Sequence, residues 1–304
     1  MTPLVSIILP TYNRADRLAG ALESCLTQTH ANLEIIVVDD GSTDNTRGVV
    51  EDFARKDSRV QYLRQQNKRL PAALNAGHRH AKGGFLTWTS DDNRYEPEAI
   101  AVMVEWLQAH SEYGLVYCDM EKMGPDGASL GPYDLLDPEE LPSHSCVGAC
   151  FLYPRTVYEA IGEYSVDTFL AEDYDYWLRI FLKYPIQHLA GVRPYRYGFH
   201  PDSLTSRRQG DVIIQTAKVR CRHMVPPDLR NSTMAEAYWN AHWYHRKQGD
   251  WATAWPCATE CIRLAPLQPR HWKAAAFTAF HLLRSRKRAP QPANRAHRET
   301  IAKA

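Results

Sequence analysis

The strongest constraint on the fold is an alternation between two hydrophobic periods that fills the first 120 residues. Val5-Ser6-Ile7-Ile8-Leu9 is a short apolar run that stops at Pro10, whereas Arg17 to Gln28 carries Leu18, Ala21, Leu22, Cys25 and Leu26 at helical spacing. The run from Glu34 to Val38 ends in Asp39-Asp40-Gly41-Ser42. The next helix turns Val49, Val50 and Phe53 inward, with Ser42 or Thr43 available as its cap. Val60 to Leu63 gives a third strand, Pro71 opens a helix through His80, and Phe85 to Trp88 runs into Ser90-Asp91-Asp92-Asn93. Pro97 then starts an amphipathic helix that ends near His110. Unbroken apolar strands separated by helices predict an α/β fold, a mostly parallel sheet with helices on both faces. Ligands of such sheets bind outside the carboxyl ends of the strands. Further on, Gly124 to Ser145 reads as surface loop, Val147 to Tyr153 as strand, Asp173 to Tyr184 as helix and Tyr195 to Phe199 as a short strand.

The carboxyl ends are where the polar residues gather: Pro10-Thr11-Tyr12-Asn13, Asp39-Asp40 and Asp91-Asp92-Asn93. One acidic pair at a strand end is usually a turn or a helix cap. Two pairs on neighbouring strands, with few bases beside them, are costly unless a hard cation balances them, and Mg²⁺ or Mn²⁺ bridging a diphosphate would do so. Tyr12 offers a face on which a base can stack, and Asp40 can accept the imide N–H of uracil or thymine; guanine also carries suitable donors. No GxGxxG follows the first strand and no GxxxxGK[ST] occurs, so the dinucleotide and P-loop readings fall.

Val5 to Arg14, Val37 to Asp44, Asn75-Ala76-Gly77, Ala81-Lys82-Gly83, Ser90 to Asn93, Gly162-Glu163-Tyr164 and Glu172 to Arg179 together resemble the family 2 inverting glycosyltransferases with the GT-A fold. The resemblance covers roughly residues 4 to 208. It implies a nucleotide-sugar donor, a divalent metal and inversion at the anomeric carbon. Carried over, Pro10, Thr11, Tyr12, Asn13 and Asp40 fall on the nucleotide side, with Asp91 near the ribose. Asp92 matches the direct metal ligand, His200 resembles the late histidine near the metal or diphosphate, and Asp173 matches the catalytic base. Many relatives have a glycine shortly after the asparagine at Asn67 and an arginine directly before that at Asn75. Here Arg69 and Leu74 stand nearby instead, and Arg69 is the basic residue this loop offers to the nucleotide. Asn93 replaces the commoner third aspartate. The QxxRW signature of processive synthases is missing, which favours transfer of one or few sugars. Arg207-Arg208 reads either as a diphosphate clamp or as solvated charge, Tyr174 and Tyr176 either as acceptor-groove or as core, and Trp177 and Arg179 as packing beside Asp173.

Residues 1–222 are expected to form the nucleotide-sugar domain and 223–304 a helical extension. Ala237 to Ala265 resembles one tetratricopeptide-type hairpin, the other reading being an unrelated helical tail. The net charge of +1 hides ten Lys and Arg against one acid from Ile262 to the end. Phe277, Phe280, Leu282 and Leu283 precede Arg284-Ser285-Arg286-Lys287-Arg288, which reads either as a peripheral membrane contact or as a packed helix with a solvated basic end. No stretch of about 18 apolar residues and no secretory leader is present, and seven scattered cysteines fit a reducing compartment, so a cytoplasmic protein is expected. The sequence thus predicts a metal-dependent transferase moving a sugar from a UDP- or dTDP-sugar to the hydroxyl of a glycan or lipid-linked acceptor, in surface polysaccharide or glycolipid assembly. Nucleic acid is not expected as a partner. The alternatives are a sugar nucleotidyltransferase and a degenerate transferase acting as a scaffold.

Overall fold

The computed structural model describes residues 2–288. The expected alternation is present: β1 (Val5–Thr11), α1 (Ala15–Leu26), β2 (Leu33–Asp39), α2 (Thr46–Lys56), β3 (Val60–Arg64), α3 (Arg69–His80) and β4 (Phe85–Trp88). There follow β5 (Arg94–Tyr95), α4 (Ala99–Ala109), β6 (Leu115–Cys118), β7 (Met120–Met123), β8 (Ser129–Tyr133), β9 (Phe151–Pro154), α5 (Arg155–Ile161), α6 (Glu172–Phe181), β10 (Ile186–Leu189) and β11 (Tyr195–Gly198). Short α7 (Leu204–Arg207) precedes α8 (Gln209–His223), α9 (Arg230–Lys247), α10 (Trp251–Leu264) and α11 (Pro269–Arg288).

Seven strands form one sheet in the order β10-β6-β9-β4-β1-β2-β3, parallel except for β9. Alternate side chains of its central strands feed two cores. Val5, Ile7 and Leu9 pack with α1, α2 and α4 on one face, whereas Ile8, Ile36 and Val38 pack with α3, α5 and α6 on the other. Gly77 lets α3 lie close, since a Cβ there would stand 2.5 Å from the Ile8 side chain. A smaller sheet, β5-β11-β7-β8, carries β11 beside β5 and β7.

Two expectations are corrected, and two strands were not anticipated. The stretch expected as loop contains β8, which pairs with β7 through an exposed hairpin whose residues alternate too weakly to read as strand. Ser42 and Thr43 do not cap α2. The carboxylate of Asp44 accepts the N–H and hydroxyl of Thr46 at 3.0 and 2.6 Å, and the Ser42 hydroxyl instead accepts the Asn13 N–H at 2.9 Å. Strands β6 and β10, four residues each, give no periodic signal in the sequence although β6 is wholly buried.

Contacts divide the chain into a first unit, residues up to 208 with 218–225, and a second, 209–217 with 226 onward. In the second unit small residues let α9 and α10 approach closely: Ala235, Ala237 and Ala241 are buried, as are Ala254, Cys257, Ala258 and Cys261, and the Cys261 thiol lies 3.5 Å from the Ala235 carbonyl. Among the described residues no helix is long and apolar enough to cross a membrane. The end of the basic tail, from residue 289, lies outside the described residues.

Two of the family-like motifs prove to be scaffolding. The Asn75 amide donates to the Tyr164 carbonyl at 2.9 Å and accepts the Tyr164 N–H at 2.8 Å, both buried, and so ties α3 to the turn before α6. Glu34 gathers the Ser6 hydroxyl at 2.6 Å and the Lys82 and Gly83 N–H groups at 2.5 and 3.2 Å beneath the sheet. Replacing Asn75 strands two buried backbone groups, so Asn75→Ala should lower unfolding free energy by about 2–4 kcal/mol in a denaturant titration. A loss under ~0.5 kcal/mol, the scale of an ordinary surface substitution, would contradict the clamp.

Candidate active site

The carboxyl ends of β1, β2 and β4 meet in a cavity of about 300 Å³. Pro10, Thr11, Tyr12, Asp40, Arg69, Asp91 and Asp92 all line it, so seven of the residues singled out in the sequence come together. Arg14, Asn67, Leu70, Ala73, Ser90, Phe169 and Leu204 complete its wall. Tyr12 leaves 47% of its surface open. Asn13 is not in the wall. It takes a left-handed backbone, φ 52°, and its side-chain oxygen accepts the Thr43 N–H at 2.8 Å, which braces the loop after β1 against the loop after β2.

The two aspartates ending β2 do different work. Asp39 is an internal brace that accepts the Ser42 N–H at 2.7 Å and the Tyr62 hydroxyl at 2.6 Å. Asp40 shapes the loop opposite. It accepts the Gln65 amide at 2.7 Å and the Lys68 and Arg69 N–H groups at 2.9 and 2.8 Å. A carboxylate has about four acceptor sites, so one remains toward the cavity. The backbone of Arg69 is held at φ 70°, and its guanidinium stands 5.1 Å from the centre of the Phe169 ring.

At the end of β4, burial and then the charge of Asp92 push the Asp91 carboxyl up to about 7, opposed by a hydrogen bond from the Thr11 hydroxyl at 2.8 Å. Bases are more numerous here than the sequence spacing indicates. Arg14 and Arg17 act on Asp91, and Arg94 donates to the Asp91 and Asn93 carbonyls at 3.3 and 2.7 Å. Asn93 is structural: its side-chain oxygen accepts the Gly198 N–H at 2.8 Å. Gly198 is required by that closeness, because a Cβ would stand 2.4 Å from the Asp92 carbonyl oxygen. The same crossing of β11 brings His200, 108 residues from Asp92 in the chain, to 2.9 Å between its Nε2 and the Asp92 carboxylate. Arg17 Nη1 lies 2.7 Å from the same ring nitrogen. Among the described residues no group of three or more His, Cys, Asp and Glu side chains is placed to hold a metal. Asp92 and His200 offer two donors, and Mg²⁺ or Mn²⁺ at nucleotides commonly takes only one or two protein ligands plus phosphate oxygens. The donor set fits such an ion.

The acidic run of α6 is sorted by burial and pairing. Asp175 is consumed by Arg179 at 2.9 Å and His223 at 2.8 Å. Glu172 is buried and accepts the N–H of Leu170, whose φ is 79°. Burial, then the charge of Asp173, pushes its carboxyl up to about 8. Asp173 is half-buried, accepts only the adjacent Tyr174 N–H at 2.7 Å, and is raised by burial. It does not line the nucleotide-sized cavity, but Phe169 just before it does. Tyr197 of β11 is pushed up to about 12, by burial first and then by the field of Asp92, to which Tyr133 and Asp173 add. The other acidic-helix aromatics settle as core: Tyr174, Tyr176 and Trp177 are all buried, with Tyr176 stacked on Tyr164 at 4.0 Å. Arg207 pairs with Asp202 at 2.6 Å. Arg17, Arg94, Phe169 and Tyr197 are what the sequence reading missed. Arg17, Arg94 and Tyr197 lie on elements whose patterning does not single them out, and Phe169 lies in a turn with no period.

Residues 6–162, more than half of the chain, match the model of glycosyl transferase family 2, and the chain belongs to that family. With the sheet described above, it is a transferase of the GT-A fold. An uncharacterized glycosyltransferase of Rickettsia prowazekii (strain Madrid E) is 34% identical over 191 residues, 59% of this chain and 59% of the relative. The chondroitin synthase of Escherichia coli is 25% identical over 190 residues, 62% of this chain and 28% of the synthase. The match thus spans about three-fifths of the length of the first of these and far less of the second. Among solved structures, S. aureus TarS 1-349 superposes with a TM-score of 0.60 at 17% identity, covering 94% of this chain and 93% of that one. Mannosyltransferase PcManGT from Pyrobaculum calidifontis, in complex with GDP-Man and Mn²⁺, gives 0.59 at 20% identity, covering 94% and 87%. At these identities the likeness is one of fold.

The raised carboxyl of Glu172 predicts a pH-dependent stability. Its folded value lies above its unfolded one, so the native state binds the extra proton between about pH 4.5 and 8, and stability is lost as pH rises through that window. Glu172→Gln keeps an acceptor for the Leu170 N–H and removes the titration. It should be more stable than the parent at pH 8.5 by about 1–3 kcal/mol and nearly equal at pH 5. Thermal denaturation at the two pH values checks this, and an equal difference at both would refute it.

Proposed function

We propose that the chain is a metal-dependent inverting glycosyltransferase, made in the cytoplasm, that moves a sugar from a UDP- or dTDP-sugar to the hydroxyl of a glycan or lipid-linked acceptor in surface polysaccharide or glycolipid assembly. The observation that carries the reading is the meeting of Asp92 with His200 at the rim of a cavity that also holds Tyr12 and Asp40. Tyr12 would stack on the base, and Asp40 would accept an N–H from it through its remaining acceptor site. The complexes of TarS 1-349 with UDP-GlcNAc and of PcManGT with GDP-Man and Mn²⁺ support a nucleotide-sugar donor in general. Family membership favours this over the nucleotidyltransferase alternative.

Asp92 and His200 would hold the divalent ion, which when bound neutralises the diphosphate and the leaving group. Arg14 and Arg17 lie beside the acid pair and would add positive field for the departing nucleotide. Inversion requires the acceptor oxygen to attack opposite the leaving group, so its proton must go to a base on the acceptor side. Asp173 suits that step. Asp175 is neutralised by Arg179 and His223, and Glu172 is buried and engaged with Leu170. A carboxyl raised by burial is a better proton acceptor than an exposed one.

Two measurements test the reading. Calorimetry should find UDP binding that requires Mn²⁺ and that Asp92→Ala abolishes while circular dichroism stays unchanged; UDP affinity indifferent to both metal and Asp92 would sink the donor site. GDP and dTDP in the same cell rank the bases. Asp173→Asn should cost about 10²–10⁴-fold in turnover with a competent acceptor, at nearly constant donor affinity. Parental turnover in that variant would remove Asp173 as the base, and lack of any transfer or donor hydrolysis by the parent would favour the scaffold alternative.

A further inference from the structure

We propose that the outer face of α11 docks the protein on an anionic membrane surface. The helix holds six Lys and Arg and neither Asp nor Glu. Its inner side is settled: His271, Ala274, Ala275 and Thr278 are buried, and the Thr278 hydroxyl lies 2.8 Å from His242 Nε2 of α9. On the opposite side Trp272, Phe280 and Leu283 fall on one arc of the helix and are 56%, 58% and 61% exposed. Leu267, in the turn just before, is 94% exposed. The Trp272 indole is fixed, donating to the Pro266 carbonyl at 2.9 Å, so its ring stands outward by construction.

Charge decides what covers this face. The acids of the neighbouring helices are engaged with partners: Glu236 with Arg270 at 2.7 Å, Glu260 with Arg263 at 2.8 Å, and Asp250 with the Thr253 N–H at 3.1 Å. Exposed Lys273 and Arg284 flank the apolar arc. A soluble polyanion would reward the bases alone and leave Trp272, Phe280 and Leu283 in water. A bilayer with acidic headgroups rewards both, because bases sit at the phosphate level while indole and aliphatic groups enter the acyl boundary. The face differs from the apolar group read in the sequence, since Phe277 is covered by the Arg246 guanidinium at 4.0 Å and Leu282 is partly buried. The surface belongs wholly to the second unit, and the inference stands or falls apart from the transfer reaction.

Flotation of the full chain tests it, with phosphatidylcholine vesicles and with vesicles containing about 30 mol% phosphatidylglycerol. The parent should float with the acidic vesicles only, and less as salt rises. Trp272→Ser/Phe280→Ser/Leu283→Ser should partition at least ~10-fold more weakly. Lys273→Glu/Arg284→Glu, which leaves the apolar arc intact, should also lose binding and guards against a folding defect in the triple variant. Equal flotation of parent and triple variant, or none by the parent, overturns the proposal. So does heparin binding without flotation, which assigns the face to a soluble polyanion. A parent that sediments as a dimer without floating, while the triple variant is monomeric, assigns the face to a second copy.

Discussion

The site depends on how a buried carboxylate is tolerated at the end of β4. Asp91 lies behind Thr11 and beside Asp92, where two ionised groups in a poorly solvated corner repel each other. Several positive groups answer that repulsion: Arg14 and Arg17 from the loop and helix after β1, and Arg94 from the residue after the acidic motif. The three arginines come from segments with no sequence likeness to one another, so the balance exists only once β1 and β4 pair in register. In the proposed reading a diphosphate arriving there would meet bases on one side and acids on the other, and a divalent ion held by the acids would supply the remaining neutralisation.

The same corner explains the geometry of β11. Asn93 draws in the Gly198 backbone, Gly198 has no Cβ to push Asp92 away, and the chain emerging two residues later carries His200 onto Asp92. Specificity for this arrangement resides in a hydrogen bond and a missing side chain. An asparagine in the third position of the acidic motif is therefore a structural tie, and in the proposed reading Asp92 and His200 would hold the metal.

Much of this was legible in the sequence, for a physical reason. Strands whose side chains are buried on both faces must be apolar throughout, so β1, β2 and β4 announce themselves, and the polar residues that interrupt them mark the ligand edge. What periodicity could not show was division of labour inside a motif. Asp39 and Asp40 are adjacent and chemically identical, yet one is a brace under Tyr62 and the other faces the cavity, because successive residues leaving a strand point to opposite sides. Asn13 looks like a ligand contact within its motif, yet its side-chain oxygen accepts a backbone N–H of the neighbouring loop, and Asn75 ties backbone groups in the same way. Arg17 was hidden by the helix that carries it, where the apolar period marks Leu18, Ala21, Leu22 and Cys25 instead. Strands β6 and β10 were hidden by brevity, four residues being too few to establish a period.

The acidic start of α6 shows the same sorting acting on function. Glu172, Asp173 and Asp175 lie within one turn, near a helix N-terminus whose dipole favours their ionised forms. Burial opposes that effect unequally. Glu172 is enclosed and holds Leu170 in a left-handed conformation that an unbraced leucine would rarely adopt, which in turn fixes Phe169 in the cavity wall. Asp175 is sealed by an ion pair to Arg179 and a contact to His223 Nε2 at 2.8 Å. Asp173 alone of the three is half-buried and, among the described residues, accepts no side-chain hydrogen bond. One turn thus connects the wall of the donor cavity to the candidate base. A change at Glu172 that released Leu170 would therefore disturb Phe169 in the cavity wall and the neighbouring Asp173 together, which in the proposed reading couples the donor side to the base.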